Sequence, residues 1–324
     1  MRRLVGAELS RLLSRRLTWL AAIAVLLAVA GLQFAINESV KPLSQAEIAQ
    51  GKEQYEQARQ DYEQNKADYE RSEQECVDGG NPVEQCSMEP KPDQFTYRTP
   101  VPYDEIAEIL IPTGVFLAGL ALLIVGASFI GAEFTSGAIG NWLSFIPERS
   151  KVLAAKLVAL GLAAAAGTAV ALGLLIGVGA LITRAADGVL GPTTKLWEMG
   201  ARGVLIGVIC AVVGFALALV TRHTIAAAGT VLGYLLVAYV LTGLGQSVPA
   251  LQQVTPWRPE YNVLAFVEHG HTYTTYVTTV TSAGSEVNPV RHTISFAHSA
   301  WYWLVLMTLV IGSAFAVFRR RDVH

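Results

Sequence analysis

Four groups of side chains in this sequence have types and spacings that could support chemistry. Glu268, His269 and His271 fall within VEHGHTY, and His292 and His298 follow in the same polar stretch. Imidazoles two apart on a strand point to one face and, beside a carboxylate, can hold a metal. The plainer reading is a polar loop with histidines at a membrane interface, which leaves the chain without a metal site. Cys76 and Cys86 lie ten positions apart in an acidic stretch, a spacing that allows a disulfide in an oxidising compartment. Cys210 stands alone in an apolar run, as a small core residue. The fourth group is GAEFTSGAIGNWLSFIPERSK, residues 131–151, which sets Glu133, Glu148, Arg149 and Lys151 around Trp142 between two long apolar runs.

Several chemistries are absent. The sequence contains no G-x-x-x-x-G-K-[ST], HExxH or nucleophile elbow. The glycines near Gly177 and Gly179 lie inside an apolar run, without the strand-to-helix context of a nucleotide fingerprint. An enzyme reading is therefore poor.

The elements that must position these residues are membrane spans. Of 324 residues, 52% are hydrophobic and only 15% charged. Six apolar runs are long enough to cross a hydrocarbon core: Leu17–Ile36, Ile109–Ile130, Leu153–Ile182, Gly200–Val220, Ile225–Leu244 and Ala300–Phe318. Their central portions carry no Asp, Glu, Lys, Arg or His, which weakens an ion-coupled mechanism and calls for energy from elsewhere. Arg2, Arg3, Arg11, Arg15 and Arg16, then Arg149, Lys151 and Lys156, Arg222, and Arg319, Arg320 and Arg321 fall on one side. The short opposite loop 183–199 has only Arg184 and Lys195. The positive-inside rule then predicts a multi-pass plasma-membrane protein with both termini, 1–16 and 319–324, in the cytoplasm. The basic N-terminus is too long for a signal peptide and reads as a retained helix. The net charge of −2 averages a basic inner and an acidic outer side, and nothing points to nucleic acid.

In MRRLVGAELSRLLSRR, Leu4, Val5, Leu9, Leu12 and Leu13 take one side and Arg2, Arg11 and Arg15 the other, as in an interfacial amphipathic helix. The first outer loop, 37–108, holds 17 of the 26 acidic residues. Within it KEQYEQA, RQDYEQN and KADYERS repeat every seven positions, so Ile48, Tyr55, Tyr62 and Tyr69 form one stripe. This predicts one helix of about 30 residues over 44–75, supported by Lys52–Glu56, Arg59–Glu63 and Lys66–Glu70. Its Tyr seam suits docking on other outer segments better than a coiled coil. The second outer loop, 246–299, predicts two short strands, HTYTTYVTTVT and VRHTISF, around a turn in SAGSEVNP. Together the loops predict a small outer α+β domain. Gly173/Gly177, Gly203/Gly207 and Gly229/Gly233 give GxxxG spacings that signal tight helix packing.

The segment 131–152 falls on the inner side, with a short helix predicted from Ser136 to Phe145 and Pro147 opening the next helix. The pattern Glu133-Phe134 … Gly137 … Leu143 … Pro147 … Arg149 … Lys156 resembles the coupling segment in membrane subunits of type-2 ABC exporters. The layout is also similar: an N-terminal helix with Ala7-Glu8 and Ser14-Arg15-Arg16, six spans and a terminal FRRRD. The two long outer loops depart from simple members of that family.

The resemblance implies an all-α polytopic membrane protein of six transmembrane helices, here with the small extracellular α+β domain. It implies a permease that moves a substrate outward, the amphipathic or lipid-like class being a lean from the uncharged spans. The coupling residues would be Glu133, Phe134, Gly137, Trp142, Leu143, Phe145, Pro147, Glu148 and Arg149. An ABC ATP-binding subunit would carry ATP and Mg, with no cofactor on this chain, and a second copy or a related permease would complete the path amid membrane lipids. The alternatives are a self-protection or sensing complex acting on membrane-active peptides, or a membrane scaffold for an extracellular domain.

Overall fold

The computed structural model describes residues 1–97, 101–135, 149–245, 249–281 and 284–320. Six helices are long and apolar enough to cross a membrane: α2 (Arg16–Val40), α7 (Tyr103–Thr135), α8 (Arg149–Ala185), α9 (Thr194–Thr221), α10 (Thr224–Gly245) and α13 (Phe296–Arg320). A short α1 (Arg2–Leu13) precedes them. Between α2 and α7 lie α3 (Gln45–Gln64), α4 (Lys66–Asp78), α5 (Val83–Cys86) and α6 (Pro92–Thr96). Between α10 and α13 lie α11 (Pro249–Gln252), a 3-10 turn, α12 (Pro259–Glu268) and strands β1 (Gly270–Thr281) and β2 (Gly284–Ser295). The spanning helices run past the apolar runs, because polar residues at either end continue the backbone ladder into the interface.

α9 is the pillar of the bundle, packed by α7, α8 and α13, and 56% of its most apolar window is buried against 11% for α10. Small residues set the α7–α9 crossing. A β-carbon on Gly126 would lie 2.0 Å from the Ala211 carbonyl oxygen, and one on Gly214 would lie 1.9 Å from that of Leu123. Each backbone therefore seats against the other where a side chain would stand. Of the three GxxxG pairs, only Gly203 and Gly207 meet neighbours, against Val115, Leu172 and Thr168. Gly173, Gly177, Gly229 and Gly233 face open space within this chain.

Two apolar clusters fill the bundle. One, at the α1 end, gathers Leu12, Phe129, Leu153, Leu160 and Phe215. The other, at the end carrying the β-hairpin, gathers Ile36, Tyr103, Ile111, Leu172, Met199 and Trp303. There Tyr103 is fully buried, its hydroxyl donating to the Ile176 carbonyl at 2.9 Å in the space that Gly179 leaves.

The predicted helix over 44–75 is two helices. Ser44 starts α3 with a reciprocal cap: its hydroxyl accepts from the Glu47 N–H, and its own N–H donates to Glu47 Oε2. The break falls at Asn65, which leaves helical geometry at φ −110° and turns its amide onto Asp61, donating to the carbonyl at 3.1 Å and to Oδ1 at 3.0 Å. A short polar side chain competing for local backbone groups ends the ladder there. Around the break Tyr62 and Tyr69 stack at 5.3 Å, and Tyr69 donates to Asp61. Arg59 pairs with Glu56 and Arg71 with Asp68 at i,i+3, acid first, rather than in the basic-first i,i+4 pairs. That order suits the helix dipole better.

The tyrosine stripe reaches one partner, Tyr55 resting on Phe95 of α6 at 6.0 Å. A disulfide joins Cys76 and Cys86 and clips α5 to α4. In the second loop each strand has twelve residues, paired antiparallel from Gly270↔Ser295 to Thr281↔Gly284. The predicted turn is too long, since Gly284 to Pro289 belong to β2. Pro289 lacks a donor, but in a two-stranded ribbon each strand has an unpaired outer edge where none is needed. The hairpin packs on α12 and α13, whereas α3 packs on α6, so each loop folds mainly against its own neighbours.

Candidate functional site

The α1 sequence places Leu4 and Val5, Glu8, and Leu12 along one helical stripe, and that stripe packs against α8. Glu8 and Leu12 are fully buried, while Leu13, expected on the apolar face, is 44% exposed. The helix is therefore docked on the bundle through a carboxylate, beyond what an interfacial helix with its leucines toward lipid requires. A buried acid needs a partner, and α8 supplies one.

That partner is Lys156, in the second turn of α8 and 1% exposed. Its Nζ donates to Glu8 Oε2 at 2.7 Å and to Glu133 Oε1 at 2.8 Å. Glu133 comes from the last turn of α7 and is itself buried. Arg11 and Arg15 approach Glu133 Oε1 at 3.9 and 3.7 Å, and Arg11 also lies 3.7 Å from Glu8 Oε1. Arg15 Nη1 donates to the Ser128 carbonyl at 2.7 Å. Burial lowers the Arg15 guanidinium from its ordinary value, and the neighbouring Glu133 opposes that shift.

Phe129 closes the cluster. Lys156 Nζ and Arg15 Cζ lie 5.0 and 5.3 Å from its ring centroid, within cation–π range. The same ring tilts against Phe215 of α9 at 6.3 Å. Three cations and two carboxylates thus tie α1, the end of α7 and the start of α8, with an aromatic link to α9. Glu8 Oε1 and Glu133 Oε2 are buried without a hydrogen bond among the described residues. The two carboxylates therefore depend on Lys156 and on the nearby guanidinium charges, and removing a partner leaves a buried charge uncompensated.

Among the predicted coupling residues, Glu133 enters the knot and Phe134 packs beside the α1-end cluster. Arg149 begins α8. Gly137, Trp142, Leu143, Phe145, Pro147 and Glu148, with the helix expected from Ser136, lie outside the described residues. Glu133 and Lys156 stand on either side of that connection and meet directly. Lys156 closes the coupling pattern, and Glu8 and Arg15 belong to the N-terminal layout, but neither these residues nor Arg11 are among the expected coupling residues, and the sequence does not join them. The available signals were an acid on the stripe of an amphipathic helix and a lysine just inside an apolar run.

Glu268, His269 and His271 do not converge. His271 Nδ1 sits 2.7 Å from Glu268 Oε2, but His269 caps α12 in a left-handed conformation at φ 68°. It is therefore off the strand and stacks on Phe296 at 4.6 Å. His292 meets Thr275, and His298 meets the Pro256 carbonyl. Among the described residues no three His, Cys, Asp or Glu side chains are grouped to hold a metal.

At the hairpin end a second polar cluster pins α10 to α12. Arg258 is 7% exposed and donates from Nη2 to the Ala238 carbonyl and to Thr242 Oγ1, at 2.9 and 2.8 Å. Its Nε donates to Glu260 Oε1 at 2.6 Å, and Tyr234 of α10 donates to the other oxygen of Glu260.

Six spanning helices, a docked basic N-terminal helix and an ionic tie across the α7–α8 connection are the frame against which the family comparison stands. Residues 3–323 match a family model described as ABC-2 family transporter protein. The chain belongs to the ABC-2 transporter family. A comparison with curated proteins finds no match. As an ABC-2 chain it is a multi-pass permease component of an ABC transporter, and its knot lies at the end of the bundle where α7 passes into α8.

Proposed function

We propose that this ABC-2 permease is the membrane half of an ATP-driven exporter, powered by a separate ATP-binding subunit seated on residues 131–152. The carrying observation is the Glu8–Lys156–Glu133 tie, which joins both flanks of that connection to α1. A load applied there reaches α1, α7 and α8 as one body, and reaches α9 through Phe129 and Phe215. Arg2, Arg3, Arg11, Arg15, Arg16, Lys151 and Arg222 gather at this end, which supports a cytoplasmic placement and an outer placement for α3–α6 and the hairpin. ATP and Mg belong to the partner. The exposed face of α10 supports a path shared with a second copy or a related permease. The apolar spans suit an amphipathic or lipid-like cargo.

The test is whether the chain co-purifies with an ATP-binding subunit from its native membranes, followed by ATPase measurement in liposomes across lipids, peptides and drugs. Trp142→Ala with Phe145→Ala is expected to release the subunit. Lys156→Met is expected to keep it bound while abolishing cargo-stimulated hydrolysis. A chain that never retains an ATPase, or a Lys156→Met complex with full stimulation, overturns the proposal.

A further inference from the structure

Beside the knot lies an apolar groove of about 600 Å³, walled by α1 and α2 on one side and α7 and α8 on the other. Its lining is hydrophobic apart from Thr18 and Thr168, the latter donating to the Ala164 carbonyl within its own helix. Trp19, Leu26, Leu162 and Val170 line it and are 45–59% exposed, so it opens sideways along the length of the spans. On α8 the lining runs from Leu160 to Ala171, about 16 Å at 1.5 Å per residue. That length matches one leaflet of hydrocarbon, about half of 30 Å. Gly167 sits in the wall with nothing within 4 Å of a β-carbon built on it, so the space beside it is empty of protein.

One end of this groove is basic. The knot beneath it carries three cations against two carboxylates, an excess of one. Arg16 is exposed, three residues before Trp19 on the same face of α2, and has no ion-pair partner among the described residues. Trp19 lies at the mouth, its indole N–H donating to the Leu13 carbonyl at 2.8 Å, which fixes the ring at the level where α1 joins α2. An apolar slot of leaflet length, an interfacial tryptophan and excess positive charge at one end are together complementary to a single kind of molecule.

We propose that this groove binds an anionic phospholipid, one acyl chain lying between α2 and α8 and the headgroup phosphate at Arg16. The site touches the knot, since Leu12 and Leu160 of the lining each follow Glu8 and Lys156 by one helical turn. The inference stands apart from the transport reading, because it concerns occupancy by lipid with no ATPase partner present.

The experiment uses the full chain in nanodiscs doped with phospholipids brominated on the acyl chain, reading the tryptophan fluorescence that is lost in a Trp19→Phe control. Brominated phosphatidylglycerol is expected to quench Trp19 at roughly fivefold lower mole fraction than brominated phosphatidylcholine, the effect of one basic residue at an anionic surface. Arg16→Gln is expected to remove that difference, weakening quenching by net-negative phosphatidylglycerol more than quenching by phosphatidylcholine, whose choline offsets the phosphate charge. Gly167→Leu fills the empty space and is expected to lower quenching by both lipids. Equal quenching by the two headgroups in the unaltered chain overturns the anionic assignment. Undiminished quenching in a folded Gly167→Leu protein overturns the groove as the chain's location.

Discussion

Lys156 Nζ donates to Glu8 Oε2 over 2.7 Å, joining two residues 148 positions apart in the chain. Lys156→Met leaves two buried carboxylates facing each other. Breaking a buried pair from one side costs about 3–5 kcal/mol. A marked fall in the thermal unfolding midpoint of the purified protein is expected, followed by tryptophan fluorescence. Adding Glu8→Gln to Lys156→Met should recover much of the loss, since Glu133 keeps Arg11 and Arg15. Strictly additive losses in the double variant would show that the pair is not coupled.

The α7–α9 crossing makes a prediction about methyl groups. Gly126→Ala or Gly214→Ala puts a β-carbon within 2.0 Å of the facing backbone, and a carbonyl cannot rotate aside as a side chain can. Overpacking of this kind costs about 1–3 kcal/mol at well-packed sites. Reduced yield of folded protein and an earlier unfolding midpoint are expected for both. Gly173→Ala, with open space around it, serves as the control and should match the parent.

At the other end Arg258→Lys keeps the charge but cannot reach the Ala238 carbonyl, Thr242 and Glu260 together as the guanidinium does. Amide hydrogen exchange over residues 238–245 should accelerate by about tenfold, the equivalent of one lost charged hydrogen bond. Exchange in α9 should stay unchanged. Equal acceleration in both helices would mean global loosening instead of a released pin.

Much of this architecture was legible, and the misses share a cause. The six spans follow from apolar length alone, and the Tyr55–Tyr62–Tyr69 period identified helix in the first loop. The Asn65 break escaped because a heptad pattern continues through a residue whose amide stops the ladder. Gly284 to Pro289 reads as a turn because Gly and Pro usually break strands, a rule that loosens where a strand has an outer edge. Gly126 and Gly214 are single glycines on separate helices outside any GxxxG pair, yet they are where the α7 and α9 backbones seat against each other. The knot was hidden for the same reason. Glu8 is a lone acid on the apolar stripe of α1 and Lys156 looks like a flank of the third span, and only packing brings them to one point.

Tethered at two points, α10 stands apart from the rest of the bundle. At its start Thr224 seats against Gly131, where a β-carbon would lie 2.3 Å from the hydroxyl, and from its midpoint onward Arg258 and Glu260 hold the stripe Tyr234, Ala238 and Thr242. Away from that stripe Leu232, Leu236, Val237 and Val240 are more than half exposed. The helix is a stave fixed along one edge, with its outward face contributing little to the stability of the chain that carries it. It can exchange whatever lies against that outward face with little penalty to the core around α9.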